Sequence, residues 1–397
     1  MKRLNLIQII LFTIIVFSCE KENDNGVNLN LDKVTGFVQK GPFLNGTAIT
    51  ISELTSDLIS TGKNFSSQIL DNRGTFEIRN VDLTSQYVEL KADGFYFNEV
   101  SNSNSPAQLT LYALSDLSSR NSINVNLLSS LEKSRVDYLV SNGKSFSKAK
   151  EMAQSEILSI FEISKKGLAE SEQLDISKPG DDNAILLAVS VILQGYLSVS
   201  ELSELIANMS TDIREDGRLD SHSLGSTLIN NARAIKLESI RKNLENRYES
   251  FGINITVPDF ERYVNQFIDK TDFDFTGFIE YPESGKYGLN ILDKTKANYD
   301  PGTYSMKAIL PEGASLKVKI SGLNWAFPAF QENTGWEHSD WNDADNSRTF
   351  TAIRTGEIDF KILFDSYQDS TWSNEINLFV YENESQEVTW SKEIIVN

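Results

Sequence analysis

Residues 34–51 read VTGFVQKGPFLNGTAITI. Val34 to Val38 is a short β-branched and aromatic run, Gly41-Pro42 and Asn45-Gly46 are turn pairs, and Ala48 to Ile51 resumes as a second strand. The rhythm continues downstream. Asp71-Asn72-Arg73-Gly74 turns into Thr75-Phe76-Glu77-Ile78, Val88 to Lys91 alternates again, Asp93-Gly94 turns into Phe95-Tyr96-Phe97, and Gln108 to Ala113 closes the series. Period-two alternation buries one face of each strand. Short strands punctuated by glycine turns therefore predict a small β-sandwich over residues 31–118.

The order GFV…GPFLNGTAITI…DNRGTFEI…VELKADGFYF resembles the carboxypeptidase-regulatory-like or transthyretin-like sandwich over roughly residues 34–114. The shared positions are turn glycines and core residues. The resemblance thus implies a fold, and a spacer or assembly role, with no catalytic residue carried over.

Beyond residue 118 the period changes from two to about 3.6. Asn124 is placed to cap a helix running to about Ser141, which Asn142-Gly143 stops, and Ser147 to cap the next. Pro179-Gly180 breaks the chain. Ala184 to Leu193 is apolar all round except Ser190, too short to span a bilayer and suited to a buried central helix. Leu237, Ile240, Leu244, Tyr248 and Phe251 form one stripe, and Phe260, Val264, Phe267 and Ile268 another. Residues 119–272 are predicted to form an all-α helical bundle.

Alternation returns in residues 273–397. Tyr304 to Leu310 and Leu316 to Ile320 flank Pro311-Glu312-Gly313 and read as a hairpin; Ile358 to Phe364, Ile376 to Val380 and Trp390 to Val396 complete a second sandwich, immunoglobulin-like in architecture. The fold class expected is multi-domain α and β: N-terminal β-sandwich, central helical bundle, C-terminal Ig-like β-sandwich.

The first residues carry an address. Met1-Lys2-Arg3 is a positive n-region, LNLIQIILFTIIVF (residues 4–17) a signal-length apolar core, and Ser18 precedes Cys19. Val16-Phe17-Ser18-Cys19 resembles a bacterial lipobox, with Phe17 atypical before the small residue. The resemblance implies a signal peptide over residues 1–18, acylation of Cys19 and a membrane partner through the acyl chains. Residues 19–30 are polar and read as a flexible tether. Glu20, Glu22 and Asp24 resemble the acidic tracts of surface-exported lipoproteins in Bacteroidetes, which implies an outer-membrane anchor and an extracellular face.

Composition narrows the chemistry. Fifty-six acidic residues stand against 37 basic ones, a formal charge of −19, or −21 once Lys2 and Arg3 leave with the leader. A nucleic-acid partner needs a basic face, and this composition argues against one. Cys19 is the only cysteine and His222 and His338 the only histidines, so disulfides, cysteine metal clusters and most histidine catalysis are not expected.

Every tryptophan lies between Trp325 and Trp390, and two bracket GWEHSDWNDADN, residues 335–346. Aromatic rings cover a pyranose face while acids and amides take its hydroxyls. Trp336, Glu337, His338, Asp340, Trp341, Asp343 and Asp345 are accordingly the candidate ligand-binding residues. Asp212, Asp216 and Asp220 fall at positions 1, 5 and 9 of a calcium-loop pattern with Gly217 at position 6, but Arg214 and Ser223 occupy two ligand positions. Calcium is the one cofactor considered, and weakly. No HExxH, GxSxG, phosphate loop or CxxC occurs. The expectation is a non-enzymatic binding or adhesion protein with a glycan or protein ligand. The alternatives are a structural partner of an envelope complex and, third, a carboxylate-based glycoside hydrolase.

Overall fold

A computed structural model describes residues 28–280, 302–321, 327–330, 336–353, 356–365, 375–383 and 385–395. The leader, Cys19 and its acids, Trp325 and Trp372 lie outside these residues. The first strands are β1 (Leu29–Gln39), β2 (Ala48–Leu54), β3 (Ser60–Gln68), β4 (Thr75–Leu83), β5 (Tyr87–Gly94), β6 (Phe97–Asn98), β7 (Ser103–Asn104), β8 (Leu109–Asp116) and β9 (Val125–Asn126). Seven helices follow: α1 (Leu127–Ser141), α2 (Phe146–Ile160), α3 (Asp181–Gln194), α4 (Val199–Asp212), α5 (His222–Ala234), α6 (Leu237–Glu249) and α7 (Glu261–Lys270), with a 3-10 turn at Ser171–Gln173. The last strands are β10 (Phe278–Glu280), β11 (Gly302–Leu310), β12 (Ser315–Ser321), β13 (Phe327–Phe330), β14 (Trp336–His338), β15 (Ser347–Ala352), β16 (Gly356–Asp365), β17 (Glu375–Glu382) and β18 (Trp390–Ile395). The chain is a mixed α+β protein.

The first nine strands form a three-stranded sheet, β4-β1-β9, a four-stranded sheet, β3-β2-β5-β8, and the small pair β6-β7. All pairings are antiparallel except β1 with β9. The alternating residues point as their period requires: Val34 and Val38, Ile49 and Ile51, Phe76 and Ile78, Val88 and Leu90 are all buried. Gly36 is fixed by close approach, since a Cβ there would collide with the Ile123 carbonyl. Strand β3, STGKNFSSQ, is absent from the sequence expectation. It is an edge strand whose one large apolar residue is Phe65, so its alternation carries little hydrophobic contrast.

The sheets do not stop where the helices begin. A single apolar cluster runs from Val34 through Leu131 and Ile192 to Phe267, so the change of period near residue 118 is not a break in packing. α3 sits at its centre, with Ala184 to Gln194 all buried. α1 lies along the edge strand β8. Ser129 and Ser130 donate to the Tyr112 carbonyl (2.8 and 3.1 Å), and Ser130 accepts from the Tyr112 N–H (2.9 Å). Helix hydroxyls thereby satisfy a sheet edge that would otherwise be open. The cap of α1 is Asn126, in a capping box with Ser129. Asn124, the expected cap, instead joins Phe37 N–H and the Leu174 carbonyl (both 2.9 Å). α2 starts after Ser145, two residues earlier than expected.

The last strands form two antiparallel sheets, β10-β11-β16-β13 and β14-β15-β12-β17-β18. The expected hairpin of Tyr304–Leu310 with Leu316–Ile320 is not one. β11 pairs with β10 and β16, whereas β12 pairs with β15 and β17. The link is pinned instead to β15: Gly313 N–H donates to the Ala352 carbonyl (2.8 Å) and Ala352 N–H to the Ala314 carbonyl (2.9 Å). Alternation in two neighbouring strands does not say that they pair with each other.

Candidate functional site

Residues 336–352 form a hairpin rather than an open loop. Trp336 opposes Ala352, Glu337 opposes Thr351 and His338 opposes Phe350. The turn is closed by Asn342 and Ser347, whose backbones exchange two hydrogen bonds (2.8 and 3.2 Å), with Asn346 in the left-handed region. Ser339 N–H donates to the Thr349 carbonyl (2.9 Å), and Thr349 N–H returns to the Ser339 hydroxyl (3.1 Å).

This register separates the candidate residues. Trp336 is turned into the sandwich, 8% exposed, and so offers no stacking face. Trp341 is half-buried, and Glu337, His338, Asp340 and Asp343 are exposed. Asp345 is already committed: Lys317 Nζ donates to one oxygen and the Ser347 hydroxyl to the other (both 2.6 Å). These bonds, Lys317's first, hold the Asp345 carboxyl below the usual range. The hairpin therefore presents a strip of acids with one aromatic ring at its side, not a pair of coplanar tryptophans.

The second candidate loop is organised around a cation of its own. Asp212 accepts from the N–H groups of Asp220 (2.8 Å) and Ser221 (3.1 Å), and Asp216 from Arg218 N–H (3.0 Å). The Arg214 and Glu215 carbonyls face the Arg135 guanidinium (3.2 and 2.5 Å), which also grips Glu156 with two bonds of 2.7 and 2.9 Å. Backbone N–H groups thus already bind the Asp212 and Asp216 carboxylates that the calcium pattern needs. Among the described residues no three acids, histidines or cysteines converge on one point.

Titration-perturbed groups often mark active sites. Here two clusters of them are enclosed. Lys40 Nζ and Glu99 are fully buried and 2.6 Å apart, with burial pushing the lysine down. Lys150 pairs with Glu132 (2.6 Å) and Glu172 (2.9 Å) where α1, α2 and the 3-10 turn meet. Burial raises Glu132, against the pull of Lys150. Neither cluster lines either of two surface grooves.

One groove, of about 1070 Å³, lies between β3 and β4 and includes Phe37, Phe65, Leu70, Asp71 and Glu77. The other, of about 600 Å³, lies between β5, β8, α1 and α4 and includes Glu89, Tyr112, Lys133 and Ser203. Glycoside hydrolysis needs one carboxyl held protonated. Asp71 and Glu77 are both lowered: the Thr75 hydroxyl and Arg73 hydrogen-bond to Asp71, and Lys33 to Glu77. The signal for the smaller groove was in the sequence: Ser130 and Ser134, with Ser203, Ala207 and Ser210, put small side chains on helix faces turned towards a sheet.

No family profile matches the chain, and no curated protein sequence matches it. Among solved structures, a β-glucosidase from Kluyveromyces marxianus aligns at 10% identity with a TM-score of 0.15, covering 90% of this chain. The chain spans 43% of that protein's length, and the likeness is too low to carry a fold or an activity.

Proposed function

We propose that the chain is a lipid-anchored cell-envelope protein that holds its C-terminal sandwich outward as a non-enzymatic binding module. The observation that carries this reading is polarity. The chain enters at Leu29, paired with Leu83 at one end of β1. It leaves for the C-terminal sandwich at Gly277, whose N–H binds Asn230 (3.1 Å). Neighbouring Asn231 binds the Ile192 carbonyl at the end of α3 (3.0 Å), and Gln194 there accepts from Tyr96 (3.0 Å). Ser190 of the same helix binds the Lys40 carbonyl, just past the far end of β1. An eleven-residue strand, about 33 Å long, separates the two ends.

The acylated Cys19 and its tether lead to the first end, and the binding sandwich departs from the second. The strand orders β10-β11-β16-β13 and β14-β15-β12-β17-β18 support the immunoglobulin-like reading. The exposed strip of Glu337, His338, Asp340 and Asp343, flanked by Trp341, is the proposed contact surface for a glycan or protein ligand. The pairing of a three- and a four-stranded sheet supports a carboxypeptidase-regulatory-like module at the anchored end.

Asp343→Cys introduces a surface thiol in a chain whose other cysteine is blocked by acylation. A membrane-impermeant maleimide should label it on intact cells. Labelling only after the outer membrane is opened would overturn the outward orientation. On a glycan array, loss of retention in Trp341→Ala with unchanged Tm supports a saccharide ligand. Retention that survives both Trp341→Ala and neutralisation of the three acids would place binding elsewhere.

A further inference from the structure

The smaller of the two grooves is walled by a sheet face and two helices. β8 buries Leu109 and Leu111, and period two therefore turns Gln108 and Tyr112 outward, with Glu89 of β5 lining the same space. Lys133 and Ser134 of α1 form one wall, and Ala207 and Ser210 of α4 the other. The enclosed volume, about 600 Å³, falls in the range of small-ligand sites.

The polar groups of this groove select among ligands. The Gln108 amide and the Tyr112, Ser134 and Ser210 hydroxyls make no hydrogen bond to the described residues. The charges, by contrast, are spent on one another. Lys133 Nζ is held between Glu89 (3.1 Å) and Asp137 (2.9 Å), 5.9 Å over the Tyr112 ring. Two acids outnumber one base here, in a chain of formal charge −19, which disfavours an anion. A cation would have to displace the ammonium that both acids already hold. An apolar ligand would strip water from the amide and the hydroxyls without replacing its hydrogen bonds. The groove suits a neutral molecule that donates and accepts at several points, as hydroxyls do, and that lays a C–H face on the half-buried Tyr112 and Ile206. A sugar ring has that make-up.

We infer that this groove binds a neutral saccharide, at a site separate from the C-terminal hairpin and independent of the role proposed for it. The full-length protein is placed on an array of neutral oligosaccharides, and a retained one is titrated by calorimetry. Ala207 is exposed, so Ala207→Trp fills the groove without touching the core and should abolish retention with Tm unchanged. Ser134→Ala combined with Ser210→Ala should weaken affinity about tenfold, the loss of two neutral hydrogen bonds. Affinity should be the same in low and high salt, because the ligand carries no charge. Retention of no neutral saccharide by the folded protein, or a strong salt dependence, would overturn the inference. Retention that survives Ala207→Trp but is lost in Trp341→Ala would overturn it and leave the hairpin standing. The reverse pattern supports the groove and removes the hairpin as the saccharide site.

Discussion

The two ends of the chain hold themselves together differently. In residues 28–277 one apolar cluster joins sheets and helices, and charged side chains pair between segments inside it: Lys40 with Glu99, Lys150 with Glu132 and Glu172. In the C-terminal sandwich the described core is a product of alternation, Leu316, Val318, Ile320, Leu378 and Val380, and the Lys317–Asp345 pair sits at the surface. Buried ion pairs contribute little net stability but are costly to break, since each partner was desolvated on folding. They tie one particular segment to another, the turn after β1 to the turn after β6 and α2 to α1 and the 3-10 turn. Alternation closes a sandwich without such ties.

The sharpest test compares two lysines. Lys150→Met leaves Glu132 and Glu172, each 1% exposed, without their ammonium and should cost about 3–5 kcal/mol in urea unfolding. Lys317→Met removes a pair 38% and 30% exposed and should cost no more than about 1 kcal/mol. Equal losses would erase the distinction between the two regions.

The same distinction governs what was legible in the residues. Val34, Ile49, Phe76, Val88 and the all-buried α3 followed from period and composition, because burial selects for apolar side chains at fixed spacing. The helix caps were near misses. The pattern points to Asn124 where Asn126 serves, since two asparagines two residues apart are equivalent until the Leu174 carbonyl claims one. Tertiary partners were not legible. Nothing local in Arg135 says that it will bind carbonyls 79 and 80 residues away, or that Ala352 will pin the link after β11. The candidate hairpin failed as a two-tryptophan platform for a related reason. Its acids and aromatics were visible, but the strand register that turns Trp336 inward depends on Ala352 across the ladder.

Smaller and opposite in sign are the effects of two glutamates in the first region. Glu53 accepts bonds from the Thr84 and Ser85 N–H groups and from the Thr84 and Thr61 hydroxyls, and these outweigh burial to hold it below its ordinary 4.5. Its contribution is complete above 4.5 and is lost as pH falls through the lowered folded value. Glu53→Gln should cost about 1–3 kcal/mol at pH 7, shrinking with acidification below 4.5. Glu132 runs the other way. Burial raises it, so the folded state keeps a proton that the unfolded chain gives up near 4.5. Stability therefore falls as pH rises from 4.5 through the raised value, and Glu132→Gln should remove that slope. Unfolding curves from pH 3 to 8 read both, and two slopes of the same sign would refute the assignment.

The smallest expected effect belongs to the C-terminal hairpin and separates its structural residue from its surface. Glu337→Gln, Asp340→Asn and Asp343→Asn change exposed side chains and should each move stability by no more than about 0.5 kcal/mol. The buried Trp336 one position away provides the scale. Its replacement by Ala empties a site under the sheet and should cost about 3–5 kcal/mol. Thermal unfolding of the four variants reads the contrast directly. If the acids proved as costly as the tryptophan, they would belong to the fold, and the hairpin would present no surface free to bind. If they are silent in stability, as their exposure requires, any loss of ligand retention they cause can be assigned to contact.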